Sequence, residues 1–209
     1  CTHALSDMEF VFPISEILSK NEHDLVHFED CDKRLMSKYD KIIICGTSMQ
    51  DFSYIDNLPF FEELLSNFEG SILGICSGMQ ILSLIFGASG LVDNTEVGFV
   101  EIKTLIPNKL FKGNFQGYNL HNCSVNECDT FKVLAKSENS IQAVKHKFKE
   151  ISKLANNFSN QSKIITTPYV NFPFKQLNKT YMDVRIIYDF DKILNISDDK
   201  NQRIFKINL

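Results

Sequence analysis

A cysteine between two glycines, at a predicted strand-to-helix junction, is the feature of this sequence with the clearest chemical meaning. Cys76 lies in the run GICSGMQ (residues 74–80), after an apolar segment typical of a buried strand and before apolar residues at helical spacing. Glycines let the backbone turn sharply, and a thiol at a helix N-terminus faces unpaired N–H groups that favour the thiolate. The pattern therefore predicts a nucleophile elbow with Cys76 as the nucleophile. The alternative is a buried structural cysteine, which does not require both glycines.

The same heptapeptide resembles the G-x-C-x-G-[HM]-Q signature of the class I glutamine amidotransferases. The resemblance covers about residues 20 to 148 and includes KYDKIIICGTS (38–48), which is similar to a strand and loop of that family. Three further segments are most similar to the amidotransferase subunit of GMP synthetase: LHN (120–122), FKVLAKSEN (131–139) and IQAVKHK (141–147).

This resemblance implies roles for individual residues. Cys76 would attack the side-chain amide of L-glutamine, and the backbone N–H groups of Thr47 and Ser77 would stabilise the oxyanion. Thr47 stands where the family has a glycine, so this role requires a negative φ there. The resemblance further implies three substrate-binding residues: Gly46, Gln80 and His121. The alternative for Gln80 is a polar residue in the first turn of a helix.

The motif that supplies the general base in this family has no counterpart in the sequence. The family supplies it from an F-H-P-E motif, but the residues after 150 contain neither histidine nor glutamate, and the most similar segment is YVNFP (169–173). A substitute would have to be His121 or His146, and His146 with Glu150 four residues on could form a pair on a helix or a solvated surface contact. We therefore expect an incomplete Cys-His-Glu triad. A catalytic triad that lacks one member still accelerates the reaction over water, but only about 10³–10⁴-fold.

Composition limits the class of protein. The chain has 209 residues, 44% hydrophobic and 23% charged, with a net charge of −4, which fits one soluble globular domain and disfavours a nucleic-acid binder. The longest apolar stretch, Ile81 to Val92, is too short to span a membrane, and no signal peptide is visible. The six cysteines show no CxxC pair and no metal-site spacing. We therefore expect a cytoplasmic protein with reduced thiols that binds no metal, cofactor, nucleic acid or membrane.

The order of the predicted elements indicates an α/β fold. Helices and strands alternate up to the elbow, and the strands that follow predict an antiparallel extension to an open, flavodoxin-like, mostly parallel sheet. The predicted helices span residues 8–18, 59–68 and 79–86, and the predicted strands span 23–29, 41–45, 71–75, 97–103, 118–125, 131–135 and 140–145. Ligands bind at the carboxyl ends of parallel strands, where the loop after Cys45 and the Cys76 elbow both fall.

Both ends of the sequence are unusual. The chain starts at Cys1 and enters a predicted helix directly, so the first, central strand of a flavodoxin-like sheet is apparently missing, and we expect a gap in the core. Alternatively, Cys1 is an N-terminal nucleophile, as in the unrelated class II amidotransferases. All nine glycines, six cysteines and five histidines lie in residues 1–150. We therefore predict an amidotransferase-like domain over 1–150 and a distinct tail over 151–209, which completes the domain or is divergent or disordered.

Three functions follow as hypotheses. The first is a glutaminase domain that delivers ammonia to a separate ATP-dependent synthetase subunit, as in GMP biosynthesis. The second is a non-catalytic relative that binds glutamine or a partner and lacks the His-Glu pair. The third is a γ-glutamyl cysteine hydrolase, which would cleave γ-glutamyl conjugates faster than free glutamine.

Overall fold

The computed structural model describes residues 7–66, 68, 70–108 and 111–147, together with the backbone of two strands nearer the C-terminal end. The strands of these regions are β1 (His23–His27), β2 (Lys41–Ile44), β3 (Ser71–Ile75), β4 (Leu91–Thr104), β5 (Phe115–Val125), β6 (Phe131–Lys136), β7 (Ile141–His146), β8 (Ile164–Thr167) and β9 (Ile204–Asn208). The α-helices are α1 (Phe12–Ile17), α2 (Lys33–Met36), α3 (Ser53–Asp56), α4 (Leu58–Leu65) and α5 (Ser77–Ile85). A π-helical turn, Asp7–Val11, precedes α1, and a 3₁₀ turn, Phe28–Asp30, follows β1.

The strands form a mixed sheet in the order β1-β9-β2-β3-β8-β7-β6-β4-β5. The first five strands in that order run parallel to their neighbours, and the remaining pairs are antiparallel. The prediction of an α/β fold with a parallel part and an antiparallel part is therefore confirmed. The antiparallel part begins earlier than predicted, because β4 starts at Leu91, where it pairs with Val125 of β5.

The expected gap in the middle of the core is absent, so that prediction was wrong. β9 lies between β1 and β2 and runs parallel to both, with Ile204 opposite His23 on one side and Lys41 on the other. The run IFKIN (204–208) has the β-branched and aromatic residues that favour a strand, although it comes from the far end of the chain. The flavodoxin-like connectivity of the sheet stays a prediction.

The predicted tail contributes two strands to this sheet. β8 lies beside β3, with Thr167 opposite Ile75, the residue just before the elbow cysteine. The domain boundary at residue 150 stays a prediction. Cys1, Glu150 and the segment 169–173 lie outside the described residues.

Apolar residues cover both faces of the parallel sheet. The consecutive β2 residues Ile42, Ile43 and Ile44 are fully buried and alternate between two clusters. One cluster contains residues of α4 and α5: Phe61, Leu64, Leu65, Met79, Ile81 and Leu82. The other contains Val11, Ile14 and Leu18 from the region of α1. This packing places α5 against one face of the sheet, directly after β3. No helix in the part of the chain described above is long and apolar enough to cross a membrane.

Candidate functional site

Cys76 occupies the turn between β3 and α5 in a backbone conformation that non-glycine residues rarely adopt. Its φ is 54° and its ψ is −114°, and it is the only non-glycine residue with positive φ among those that the structure describes. Residues held in sparsely populated backbone regions cost roughly 1–3 kcal/mol each and are concentrated at functional sites. The turn geometry of the predicted nucleophile elbow is therefore present, and Cys76 itself, not the flanking glycines, makes the sharp turn.

The glycines around the elbow allow close backbone packing instead. A Cβ on Gly74 would lie 2.5 Å from the carbonyl oxygen of Gly78, and a Cβ on Gly78 would lie 2.2 Å from that of Ile44. A Cβ on Gly46 would lie 3.0 Å from the Cβ of Cys76 and 3.6 Å from its Sγ. Because these positions lack side chains, α5 packs directly on β2 and β3, and the thiol lies beside the loop after β2.

Two backbone N–H groups converge on the sulfur of Cys76. One belongs to Ser77, the next residue, and the other to Thr47, in the loop after β2. Burial nevertheless raises the pKa of Cys76 to about 11, although these two hydrogen bonds lower it. The expectation of an ionised resting nucleophile was therefore wrong. Burial outweighs the donors at the helix N-terminus, so the half-buried residue is a neutral thiol at pH 7.

Thr47 meets the condition that its donor role requires. Its φ is not positive, and its Oγ1 donates to Oδ2 of Asp51 at 2.6 Å. Oδ1 of Asp51 accepts from the N–H of Ser53 at 3.0 Å and from its hydroxyl at 2.6 Å. Partial burial acts to raise the pKa of Asp51, but the hydrogen bonds from Ser53 and Thr47 lower it overall. Asp51 thus holds the loop as a carboxylate. The sequence reasoning missed it, although a D-x-S pattern is a known signal for such turns.

Gln80 connects the first turn of α5 to two other elements. Its Nε2 donates to the carbonyl oxygen of Cys123 in β5 at 3.0 Å, and its Oε1 accepts a hydrogen bond from the hydroxyl of Tyr54 in α3. Asn122, next to Cys123, donates from its Nδ2 to the carbonyl oxygen of Met49 at 2.5 Å. β5 is therefore hydrogen-bonded to α5 through Gln80 and to the loop after β2 through Met49. Direct contact of Gly46 or Gln80 with a substrate stays a prediction.

The side chain of His121 is directed into a buried hydrogen-bonded cluster, which we call the Glu96 network. Nε2 of His121 lies 3.1 Å from Oε2 of Glu96, which also accepts from Nδ2 of Asn119 at 2.7 Å and from Nε2 of Gln142 at 2.8 Å. The hydroxyl of Ser137 donates to Oε1 of Glu96 at 2.7 Å. The network joins β4, β5 and β7, and the sequence reasoning missed it because its members are far apart along the chain. A role for His121 in substrate binding stays a prediction.

His146 lies in a strand and not in the helix that the predicted pair with Glu150 requires, and Glu150 lies outside the described residues. His146 is the last residue of β7, where it pairs with Phe131 of β6. Its ring is buried between those of Phe86 and Phe131, with centroid distances of 5.5 and 5.2 Å. Burial lowers the pKa of His146 to about 4, so the ring is neutral at pH 7. This apolar surrounding excludes a surface ion pair.

The described residues contain no group of three or more His, Cys, Asp or Glu side chains that could hold a metal ion. Four of the described cysteines carry free thiols: Cys31, Cys76, Cys123 and Cys128.

Comparison with known proteins agrees with this geometry. Residues 10–153 match the family described as glutamine amidotransferase class-I. No curated protein matches the chain in sequence. In fold, the chain is similar to a Thermoplasma acidophilum protein described as a GMP synthase subunit, with a TM-score of 0.67, 20% identity, and coverage of 88% of this chain and 87% of that one. It is also similar to the glutaminase domain of Trypanosoma brucei CTP synthase with bound acivicin, with a TM-score of 0.59, 11% identity, and coverage of 94% and 90%.

Proposed function

The chain belongs to the class-I glutamine amidotransferase family, and on that premise we propose that it is a glutaminase domain that hydrolyses the side-chain amide of L-glutamine at Cys76. One observation carries the proposal. The sulfur of a strained elbow cysteine lies against two backbone N–H groups that come from different elements, Ser77 of α5 and Thr47 of the loop after β2. Such a pair of donors is the arrangement that stabilises the oxyanion in acyl transfer.

The chemistry follows from these groups. Sγ of Cys76 attacks the carbonyl carbon of the glutamine amide, and the negative charge that develops on the carbonyl oxygen is stabilised by the N–H groups of Thr47 and Ser77. The carbon–nitrogen bond then breaks as the nitrogen takes up a proton, which releases ammonia and leaves a γ-glutamyl thioester. Water hydrolyses this thioester to glutamate and restores the thiol.

A proton acceptor for Cys76 is the demanding part of this scheme, since the pKa of its thiol is raised to about 11. The residues after 150 contain no histidine and no glutamate. His146 is enclosed by aromatic rings, and Nε2 of His121 is directed at Glu96. These observations favour a second candidate function, a relative that binds glutamine or a partner and turns over slowly or not at all.

We further propose that the ammonia passes to a separate ATP-dependent synthetase subunit similar to that of GMP synthetase. The resemblance of the segments LHN (120–122) and IQAVKHK (141–147) supports this partner, as does the fold similarity to the Thermoplasma acidophilum protein described as a GMP synthase subunit. The free thiols of Cys31, Cys76, Cys123 and Cys128 support a cytoplasmic location, because reducing compartments keep thiols unpaired. The order of the parallel strands, β1-β9-β2-β3-β8, with β9 in second place between β1 and β2, supports a flavodoxin-like parallel sheet.

Covalent labelling tests the glutaminase proposal. The protein is incubated with a diazo-ketone analogue of glutamine, and the modified cysteine is located by peptide mass spectrometry. We expect labelling at Cys76, protection by L-glutamine, and loss of the label in Cys76→Ala. The matched control Cys128→Ala removes another half-buried thiol and should keep the label. Absence of selective labelling at Cys76 in the folded protein would contradict the proposal.

Product analysis separates the candidate functions. Ammonia release above background from L-glutamine supports the glutaminase. Selective, glutamine-protected labelling with ammonia release at background supports the non-catalytic relative. Faster cleavage of γ-glutamyl conjugates than of free glutamine would identify a γ-glutamyl hydrolase.

A further inference from the structure

The carboxamide of Gln80 is held at both ends by groups that lie far from it in the sequence. Its Nε2 donates to the carbonyl oxygen of Cys123 at 3.0 Å, and its Oε1 accepts from the hydroxyl of Tyr54. Both side chains are enclosed, Gln80 being 7% exposed and Tyr54 2%. A buried amide whose two ends are both hydrogen-bonded keeps one orientation, because any other orientation leaves polar atoms unsatisfied.

The chemistry of the two partners determines which orientation this is. The carbonyl oxygen of Cys123 can only accept, so the NH₂ end of Gln80 must face it. The opposite end is then an acceptor, which requires the hydroxyl of Tyr54 to donate. Burial raises the pKa of Tyr54 above its usual range, and the negative charge of Asp51 raises it further. Tyr54 therefore keeps its proton and remains a donor throughout the neutral pH range.

The position of Tyr54 gives this bond a role at the site. Its hydroxyl lies within electrostatic range of the sulfur atoms of Cys76 and Cys123. Gln80 belongs to the first turn of α5, the helix that begins directly after the nucleophile, and its N–H donates to the carbonyl oxygen of Cys76 at 3.1 Å. The chain from Tyr54 through Gln80 to Cys123 therefore spans α3, α5 and β5 beside the reactive sulfur.

On the basis of the proposed glutaminase function, we propose that Tyr54 is a positioning residue that acts through Gln80 in the recognition of glutamine. Its hydroxyl holds the Gln80 carboxamide in one orientation, and that amide holds β5 against the elbow helix. Removal of the hydroxyl would leave Oε1 of Gln80 buried with one fewer donor, so the amide and the Cys123 backbone would no longer be fixed relative to Cys76.

The experiment compares two reagents at the same sulfur. Cys76 is alkylated by the diazo-ketone analogue of glutamine, which requires recognition, and by iodoacetamide, which does not. The ratio of the two second-order rate constants measures glutamine recognition. One intramolecular hydrogen bond contributes about 0.5–1.5 kcal/mol, so we expect Tyr54→Phe to lower this ratio about 2- to 13-fold. The matched control is Tyr39→Phe, which removes the phenol hydroxyl of another buried tyrosine, one that donates to Asp24 of β1, and should leave the ratio unchanged.

A double-variant cycle tests whether Tyr54 acts through Gln80. If it does, Tyr54→Phe in a Gln80→Ala background should lower the ratio no further than Gln80→Ala alone. Additive losses in the double variant would overturn the proposal. An unchanged ratio in folded Tyr54→Phe would also overturn it, because the loss of this hydroxyl would then affect stability alone, as in Tyr39→Phe. If the wild-type protein shows no preference for the glutamine analogue at Cys76, the proposed glutaminase function fails, whatever the role of Tyr54.

Discussion

Replacement of Gly78 by alanine should reduce the reactivity of Cys76 by distorting the proposed oxyanion site. An added Cβ would lie 2.2 Å from the carbonyl oxygen of Ile44 and 2.9 Å from its carbonyl carbon. Ordinary contact with that oxygen begins at 3.4 Å, so the start of α5 must move away from β2 by about 1.2 Å. The added Cβ meets the backbone carbonyl group of Ile44, so no flexible side chain can move aside to relieve the contact.

This displacement acts directly on the two donors. Ser77 moves with α5, whereas Thr47 follows β2, so the separation of their N–H groups changes by a similar distance. A misplacement of about 1 Å can cost about 10²-fold in rate. We therefore expect Gly78→Ala to react with the glutamine analogue about 10²-fold more slowly at Cys76. Overpacking of this kind should also lower the free energy of unfolding by about 1–3 kcal/mol.

The assay is the second-order rate of Cys76 labelling, measured in protein that urea titration shows to be folded. The matched control is Gly90→Ala, because a Cβ on Gly90 would meet no atom within 4 Å. Gly90→Ala should behave like the wild type in both rate and stability. A wild-type labelling rate in Gly78→Ala would refute the claim that close packing of α5 on β2 sets the donor geometry.

Two further predictions concern buried polar side chains. His146 stays neutral in the fold because burial lowers its pKa from 6.5 to about 4, whereas the unfolded chain takes up the proton below pH 6.5. Stability should therefore fall by about 2 kcal/mol between pH 7 and pH 5, and urea titrations should show a smaller fall in His146→Phe. Equal pH dependence in the two proteins would contradict this assignment. Glu96→Gln should destabilise the fold by about 1.5–3 kcal/mol, because Glu96 accepts charge-assisted bonds in the buried network. Glu101→Gln, on the exposed part of the same strand, is the control and should change urea stability little.

The local parts of this molecule could be predicted from the sequence. The apolar run before Cys76 predicted β3 with the bounds that the structure gives, 71–75, and the helical spacing after it predicted α5 to within two residues at its start. These predictions succeed because each rests on contacts between residues close in sequence, where periodicity and turn chemistry suffice. The position of β9 between β1 and β2 could not be predicted, because nothing in IFKIN (204–208) specifies which two strands it will pair with.

Within the site too, local features could be predicted from the sequence and long-range contacts could not. The GICSGMQ run identified Cys76, whereas the partners that fix its surroundings were missed. Tyr54 reaches Gln80 across 26 residues of sequence, and Glu96 reaches His121 across 25. Such pairs form because strands and helices pack, and a single sequence gives no signal for which tyrosine or glutamate will meet which amide. Asp51 is the exception, since its bonds to Thr47 and Ser53 are local.

The packing that forms the elbow also explains why its thiol stays protonated. Gly46, Gly74 and Gly78 let backbone approach backbone at the elbow, and the resulting partial burial of Cys76 raises the pKa of its thiol to about 11. The same partial burial strengthens a hydrogen bond from Thr47 or Ser77 to a negative charge that develops beside them. In the proposed reaction negative charge develops on the carbonyl oxygen of the amide, where the N–H groups of Thr47 and Ser77 would stabilise it more than they stabilise the neutral resting thiol. If Cys76 is the nucleophile, as proposed, the rate of the reaction then depends on the group that removes the thiol proton.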